Sequence, residues 1–435
     1  MRLKPIDLPN VHRTTLPNGL RVVVTELPHL HTVSVGTFVR VGSRYEDPST
    51  NGLSHFLEHM LFRGTEAHPT PYDYNLAVES LGASLRAATH VDFTVYDLSL
   101  PPENFAAGLT LLGDAIRTPR FGDIETEKQI VAEEILGDLD EEGHEVDVEN
   151  LSRRLLFGAH PLAFKITGEA SQIERFTEAD LERHHRAHYG ARNQVVSVAG
   201  PLAAEEAFRV VRAAFGALPP GNHAEISAPP ADTLGSRYFH ATRRSSQTDV
   251  RLCFRTFGQR DPRAIALHVL SRVLDDGLST RVFRRLCEDT GLAYDAFASA
   301  ETYEDAGVFD FGAAANHDKV AAILDQFAGI VRELRIDGPT EREVEQAKNR
   351  HLWNLLATLD HAEAMMHYHG VETLFGIEDP FERLLERVRA VTPEDVRAVA
   401  GDLFAPHRAH AVVVGAARTE TTGAHAFARL FPDLA

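Results

Sequence analysis

Between Asn51 and Thr65 the chain reads NGLSHFLEHMLFRGT, and three of its side chains, His55, Glu58 and His59, could do chemistry together. Imidazoles four residues apart on a helix stand one turn above the other and can reach a single divalent cation, at roughly 2.0–2.1 Å per bond for zinc. A glutamate beside them can take a proton from metal-activated water without ligating the ion, which is the work of a general base in hydrolysis. In a chain with 23 histidines the pentapeptide alone is weak evidence, so a third protein ligand must come from another element.

The stretch has to be a helix for this to hold. Asp47-Pro48-Ser49-Thr50 offers N-cap oxygens and a chain-turning proline, and Gly64 offers a stop. Leu53, Phe56, Leu57, Met60 and Leu61 recur with helical spacing and fill a core-facing stripe without help from the histidines. A second helix is expected in DIETEKQIVAEEILGDL, residues 123–139. Glu127 and Glu134, two turns apart, share a face with Ile130 and partly with Val131, whereas Glu133 points about 100° away toward solvent. A glutamate beside an apolar stripe is costly to bury without a cation, which makes Glu134 the better third ligand. A plain surface glutamate is the competing reading.

The 435 residues exceed what one core accommodates, and LPPGNHAEISAPPADTLG at 218–235 has the composition of a linker. Two domains follow, 1–217 and 236–435. Both show the same order of elements: a strand, a helix, a strand pair and a helix. HTVSVGTFVRVGS, the histidine helix, ASLRAATHVDFTVYDLSL and PENFAAGLTLLGDAI are answered by TDVRLCFRTFG, PRAIALHVLSRVLDD, AYDAFASAETYEDAGVFDFGAAA and DKVAAILDQFAGIVREL. The fold class is therefore α+β, two homologous units each with an antiparallel-rich sheet packed with helices. Only the first copy carries paired histidines on its early helix.

These stretches resemble the inverted-zincin family that includes pitrilysin, insulin-degrading enzyme and the mitochondrial processing peptidases. LPNGLRVVV, GLSHFLEHMLFRGT, LGASLRAATHVDFTVY, TEKQIVAEEI and HYGARNQVVSVAG carry the likeness in the first half, and LDDGLSTRVFRRLCEDTGLAYDAFAS carries it in the second. The resemblance implies Zn2+ on His55, His59 and Glu134, Glu58 as the base, and Glu127 as a supporting carboxylate. It also implies a peptide substrate added as a strand along SLRAATHVDF near the metal. The length suits half-size members, two chains of which pair into a clamshell.

Two positions depart from the family pattern. Arg86 stands where many members carry Asn, and as a substrate-binding residue it would favour an acidic group on the peptide. Tyr294 is present, but the Arg expected seven residues before it is Cys287, and a neutral thiol cannot clamp an anion. CEDTGLAY looks closer to the zinc subunit of heterodimeric members, whose partner chain supplies the substrate-binding Arg/Tyr pair. A homologous partner in a heterodimer is thus the expectation, ahead of a homodimer. A non-catalytic scaffold that keeps the fold is the rival reading, and manganese or cobalt are the rival metals.

The remaining features exclude more than they specify. A formal charge of −19 repels nucleic acid and anionic membrane. Cys253 and Cys287 are too few for a thiolate metal cluster, and Cys253 in an alternating strand reads as a small core residue. The first residues lack the apolar core of a secretory signal and include Asp7, and no run is apolar enough to span a bilayer, so a cytoplasmic location is expected. His184 and His188, and the group His361, His367 and His369, lack suitably placed carboxylates and read as surface or packing histidines.

Overall fold

A computed structural model describes residues 8–231 and 235–430; Asp7 and residues 232–234 of the expected linker lie outside the described residues. Contacts divide the chain into two compact units, Met1–Ile135 with Phe164–Ser227 and Leu355–Asp379, and Leu136–Ala163 with Ala228–Asn354 and Pro380–Ala435.

In chain order the elements run β1 (Asn10–Thr15), β2 (Arg21–Glu26), β3 (Val33–Val39), α1 (Leu53–Leu61), α2 (Pro71–Glu79), β4 (Ser84–Thr89), β5 (Thr94–Leu100), α3 (Phe105–Arg117), α4 (Ile124–Leu136) and α5 (Val148–Phe157). Then come α6 (Ala170–Ile173), α7 (Glu178–His188), β6 (Gln194–Gly200), α8 (Ala204–Phe215), β7 (Arg237–Thr242), β8 (Thr248–Phe257), α9 (Ala264–Leu274), α10 (Arg281–Phe283), β9 (Asp295–Thr302) and β10 (Ala306–Ala315). The chain closes with α11 (Val320–Ile336), α12 (Glu341–Thr358), α13 (Ala362–Phe375), α14 (Phe381–Ala390), α15 (Pro393–Leu403), β11 (His410–Gly415) and α16 (Thr419–Arg429).

The first unit holds a six-stranded sheet in the order β1-β2-β6-β3-β5-β4, and the second a five-stranded sheet in the order β7-β11-β8-β10-β9. Neighbours are antiparallel except β2 with β6 and β7 with β11. Without β1 the two orders coincide, β2-β6-β3-β5-β4 against β7-β11-β8-β10-β9, with the same sense at every pair. The duplicated α+β unit read from the order of elements is therefore present as topology. Continuous apolar runs such as VSVGTFV in β3 are buried along their whole length, as strands covered on both faces must be.

The units are not the contiguous halves 1–217 and 236–435. Residues 136–163, with α5, belong to the second unit, and residues 355–379, with α13, belong to the first. α5 packs on β8 and β11, whereas α13 packs on β2, β3 and β6. Two glycines permit that second contact: a Cβ on Gly36 would sit 2.6 Å from the Met366 sulfur, and one on Gly370 would sit 2.2 Å from the Phe38 ring. Chain exchange of this kind depends on sheet-face complementarity, which local periodicity does not encode.

Candidate metal centre

α1 starts from Gly52, whose φ of 92° suits glycine and whose missing side chain lets Thr167 O and Gly168 Cα approach to 2.8 Å of where a Cβ would be. The 47–50 turn does not cap the helix as expected. Asp47 Oδ1 accepts from Ser49 N–H at 2.7 Å, and Thr50 Oγ1 accepts from Asp47 N–H at 2.9 Å, so these oxygens are engaged within their own turn. The capping carboxyl is that of Glu46. Its Oε2 accepts from Gly52 N–H at 2.8 Å and Asn51 Nδ2 at 3.0 Å, and its Oε1 accepts from Ser54 N–H at 2.7 Å. Burial pushes its carboxyl up to about 7 although those donors oppose the shift. At the other end the helix stops at Leu61 with Phe62 as C-cap, before Gly64 turns the chain with a φ of 129°.

Leu53, Phe56, Leu57, Met60 and Leu61 form the buried stripe as expected. His55 is nonetheless buried too, at 7% exposure, while Glu58 and His59 are half-buried. The two imidazoles face each other, with Nε2 atoms 3.3 Å apart. Glu134 of α4 brings Oε1 to 3.6 Å from His55 Nε2 and Oε2 to 3.6 Å from His59 Nε2. Three donors on one tetrahedral ion at zinc bond lengths stand about 3.4 Å apart, so the set fits that ion. Among the described residues it is the one group of three or more His, Cys, Asp or Glu whose ligand atoms all lie within 4.8 Å of one another.

Protonation divides the two imidazoles. Burial, with His59 alongside, pushes His55 down to about 3, so its imidazole stays neutral. Burial pulls His59 the same way, but the hydrogen bond and charge of Glu127, with Glu58 and Glu134, raise it overall. Glu58 is raised by burial, although Thr89 Oγ1 donates to its Oε2 at 2.5 Å.

Burial along α4 differs from the expected pattern. Val131 and Ile135 are the buried apolar residues of α4, and Ile130 is 47% exposed. The glutamate inserted beside the stripe is Glu127, at 5% exposure, whereas Glu134 is exposed. Glu127 keeps its charge company with His59 Nδ1, 2.8 Å from Oε1, and Arg63 NH1, 3.2 Å from Oε2. The nitrogen–carboxylate contact fixes which imidazole nitrogen of His59 is left for a metal. Glu133 is exposed, as expected.

β4 is the last strand of its sheet, so one side of its backbone is unpaired. A cleft of about 410 Å³ runs beside it, lined by Glu58, His59, Phe62, Leu85, Arg86 and Ala87 among others. Arg86 lies on this strand, but its NH2 already meets Asp97 Oδ2 at 2.6 Å and Glu363 Oε2 at 2.8 Å. A guanidinium paired with two carboxylates presents no net positive charge, which removes the basis for a preference for acidic peptides.

In the second unit Tyr294 is 95% exposed just before β9, the edge strand there. Cys287 sits in a single π-helical turn, residues 284–288. The neighbouring guanidiniums are committed, Arg284 to Asp289 at 3.2 Å and Arg285 to Glu333 at 2.8 Å. The helices that correspond in order to α1 and α4 are α9 and α12. They bring together His268, Arg272 and His351, with Arg272 Nε 3.0 Å from His351 Nδ1. A fixed cation therefore stands beside His351 between these two helices of the second unit.

Of the other histidines singled out in the sequence, His367 and His369 do meet carboxylates, contrary to expectation, because Asp97 comes from a distant strand and Glu372 lies one helical turn on. His184 Nε2 lies 3.1 Å from Ser54 Oγ and its ring stacks near His188, while His367 meets Asp97 at 3.5 Å and His369 meets Glu372 at 3.1 Å. Cys253 is fully buried. Three participants escaped the sequence reading: Glu46, Arg63 and Thr89. Arg63 carried a signal, a cation one turn beyond the motif; Glu46 and Thr89 reach the site only through tertiary contact.

Two family models match the chain: Insulinase (Peptidase family M16) over residues 21–168, and Peptidase M16 inactive domain over residues 175–350. An uncharacterized zinc protease of Mycobacterium leprae is 32% identical over 406 residues, covering 91% of this chain and 89% of that one. Another of Mycobacterium tuberculosis is 32% identical over 415 residues, covering 93% and 92%. The crystal structure of a protease from Helicobacter pylori has the same fold, with a TM-score of 0.84 at 21% identity over 94% of this chain and all of that one. Among the described residues no helix is long and apolar enough to cross a membrane. The chain is a member of peptidase family M16.

Proposed function

We propose that this chain is a zinc-dependent endopeptidase that hydrolyses extended peptides. The observation that carries the reading is the convergence of His55, His59 and Glu134 from two helices, with Glu58 beside them and a free strand edge along the same cleft. The names of the relatives point the same way.

His55, His59 and Glu134 would hold the ion, and Glu127 would keep the His59 imidazole in the ligating tautomer. When bound, zinc supplies Lewis-acid polarisation of the scissile carbonyl and lowers the pKa of water. Glu58 takes the proton from the attacking water and delivers it to the leaving amine; Thr89 holds its Oε2, which leaves Oε1 for the transfer. The edge of β4 aligns the substrate backbone by main-chain hydrogen bonds.

The chain works in this reading as the catalytic half of a heterodimer. Cys287 occupies the position of the anion clamp, and Arg284 and Arg285 are both engaged with carboxylates. A homologous partner would bring the Arg/Tyr pair.

The second half matches a model described as inactive, which favours a non-catalytic scaffold as the second reading. One experiment separates them: peptide cleavage assayed with and without a co-encoded homologous chain, with a chelator, and with Glu58→Gln. The peptidase reading expects one zinc per chain, loss of cleavage with the chelator, and a Glu58→Gln chain that binds zinc but turns over at least ~100-fold more slowly. A scaffold would cleave nothing in any combination. Full turnover by this chain alone would reject the heterodimer.

A further inference from the structure

We propose that Arg63 is a positioning residue for the metal ligands: its guanidinium straps α4 to the end of α1 and holds Glu127 against His59. This rests on the metal-ligand reading above and adds a residue to it.

Arg63 lies two residues past α1, where its N–H still donates to Met60 O at 3.1 Å and its side chain, 15% exposed, turns toward α4. One nitrogen, NH2, pairs with Asp123; the other, NH1, reaches Glu127 Oε2 at 3.2 Å. Glu127 Oε1 in turn meets His59 Nδ1 at 2.8 Å. A continuous path of charge-assisted contacts thus runs from Asp123 through Arg63 and Glu127 to the imidazole of His59.

Asp123 is also special in its backbone. It is the one non-glycine residue described with positive φ, 58°, it immediately precedes α4, and its Oδ1 accepts from Thr126 Oγ1 at 2.8 Å. The backbone repeats the strap beside it, with Arg120 N–H donating to Gly64 O at 3.0 Å and Thr65 bridged to Pro119. The start of α4 is therefore fixed to the end of α1. Glu134 lies two turns farther along α4 than Glu127, about 10 Å of helix, so the angle at which α4 leaves this strap decides where the Glu134 carboxylate arrives.

Charge supplies the second reason. Glu58, Glu127 and Glu134 surround His59, and Glu127 is the most buried of them. Without Arg63 its carboxylate would keep only the imidazole as partner, and nothing else would hold it at its present place between the two helices. A shift of that carboxylate frees His59 Nδ1 and loosens the ligand set.

The test uses the full chain with Arg63→Met, Arg63→Lys, Glu127→Gln and the double variant Arg63→Met/Glu127→Gln. Zinc affinity is read by chelator competition, and the His59 tautomer by imidazole 15N shifts in chelated protein. Arg63→Met is expected to weaken zinc ~10–100-fold, Glu127→Gln by a comparable factor, and the double variant by no more than the worse single one, since both act through one path. Arg63→Lys should recover part of the loss, because an ammonium keeps the charge but not the two-pronged reach. In chelated wild type the proton sits on Nδ1 of His59, and in Arg63→Met that preference weakens. Unchanged affinity and tautomer in Arg63→Met, or fully additive losses in the double variant, overturn the proposal. If Arg63→Met does not fold, Asp123→Asn removes one end of the strap and is expected to cost a few-fold in zinc affinity, with no change being the refuting result. A wild type that binds no zinc defeats the peptidase reading instead, while the tautomer measurement still decides the role of Arg63.

Discussion

The Nε2 atoms of His55 and His59 lie 3.3 Å apart, and the carboxylate of Glu134 stands 3.6 Å from each. Two nitrogen donors one helical turn apart set one edge of a coordination tetrahedron, and a residue 75 positions later in the sequence completes its face. That arrangement has consequences that solution measurements can check.

One zinc per chain is expected, with none gained from the second unit, where Arg272 already places a cation among His268 and His351. Free zinc at 100 times its dissociation constant should stabilise the fold by about 2.7 kcal/mol. His55→Ala and Glu134→Gln should abolish most of that gain. Metal analysis of the purified chain and thermal melts with and without zinc read both quantities.

Glu46 ties stability to pH. Its folded carboxyl is raised to about 7 from an unfolded value of 4.5, so the folded state binds its proton more tightly than the unfolded chain does. The contribution is complete below pH 4.5 and is lost as pH rises through 7, by an amount on the order of 3 kcal/mol. In chelated protein, the stability difference between wild type and Glu46→Gln should therefore shrink across that window. A difference that grows as pH rises would mean that the three N–H donors, and not burial, govern this carboxyl.

Arg86 should contribute little to charge selectivity. Paired with Asp97 and Glu363, it offers an incoming acidic side chain no net attraction. Arg86→Asn is expected to leave the ratio of kcat/KM for acidic over neutral peptides within about three-fold of wild type, the scale of an exposed ion pair. A panel of peptides differing at single acidic positions measures this directly.

The unpaired edge of β4 should read backbone before side chain. Methylating the substrate amides that pair with this strand should weaken binding about five-fold per lost hydrogen bond, corresponding to about 1 kcal/mol each. Methylation at the intervening amides, which point away from the edge, should have little effect. Equal sensitivity at all positions would count against strand addition.

Local pattern was enough for several elements. The spacing of Leu53, Phe56, Leu57, Met60 and Leu61 marked α1 and its buried face, and the i, i+4 histidines marked the metal edge, because both properties live within one or two helical turns. The repeated order of strands and helices likewise announced two copies of one unit, and the matched sheet orders bear this out. Other features needed the folded chain. The Asp47–Thr50 turn has the composition of a cap, yet the carboxyl that caps α1 is that of Glu46. Periodicity places Glu134 on a face of α4 but does not tell that Ile130 is exposed and Glu127 buried.

The sequence by itself determined which side chains could bind a metal, on which helices they ride, and that the architecture is doubled. Only the tertiary structure decided that α5 and α13 trade units, that Arg86 is already neutralised, and that Arg63 ties the two ligand-bearing helices together. The physical reason is range. Helical and strand periodicities are set by neighbours a few residues away, whereas burial, charge pairing and the convergence of His55, His59 and Glu134 depend on which faces of distant elements exclude water from one another.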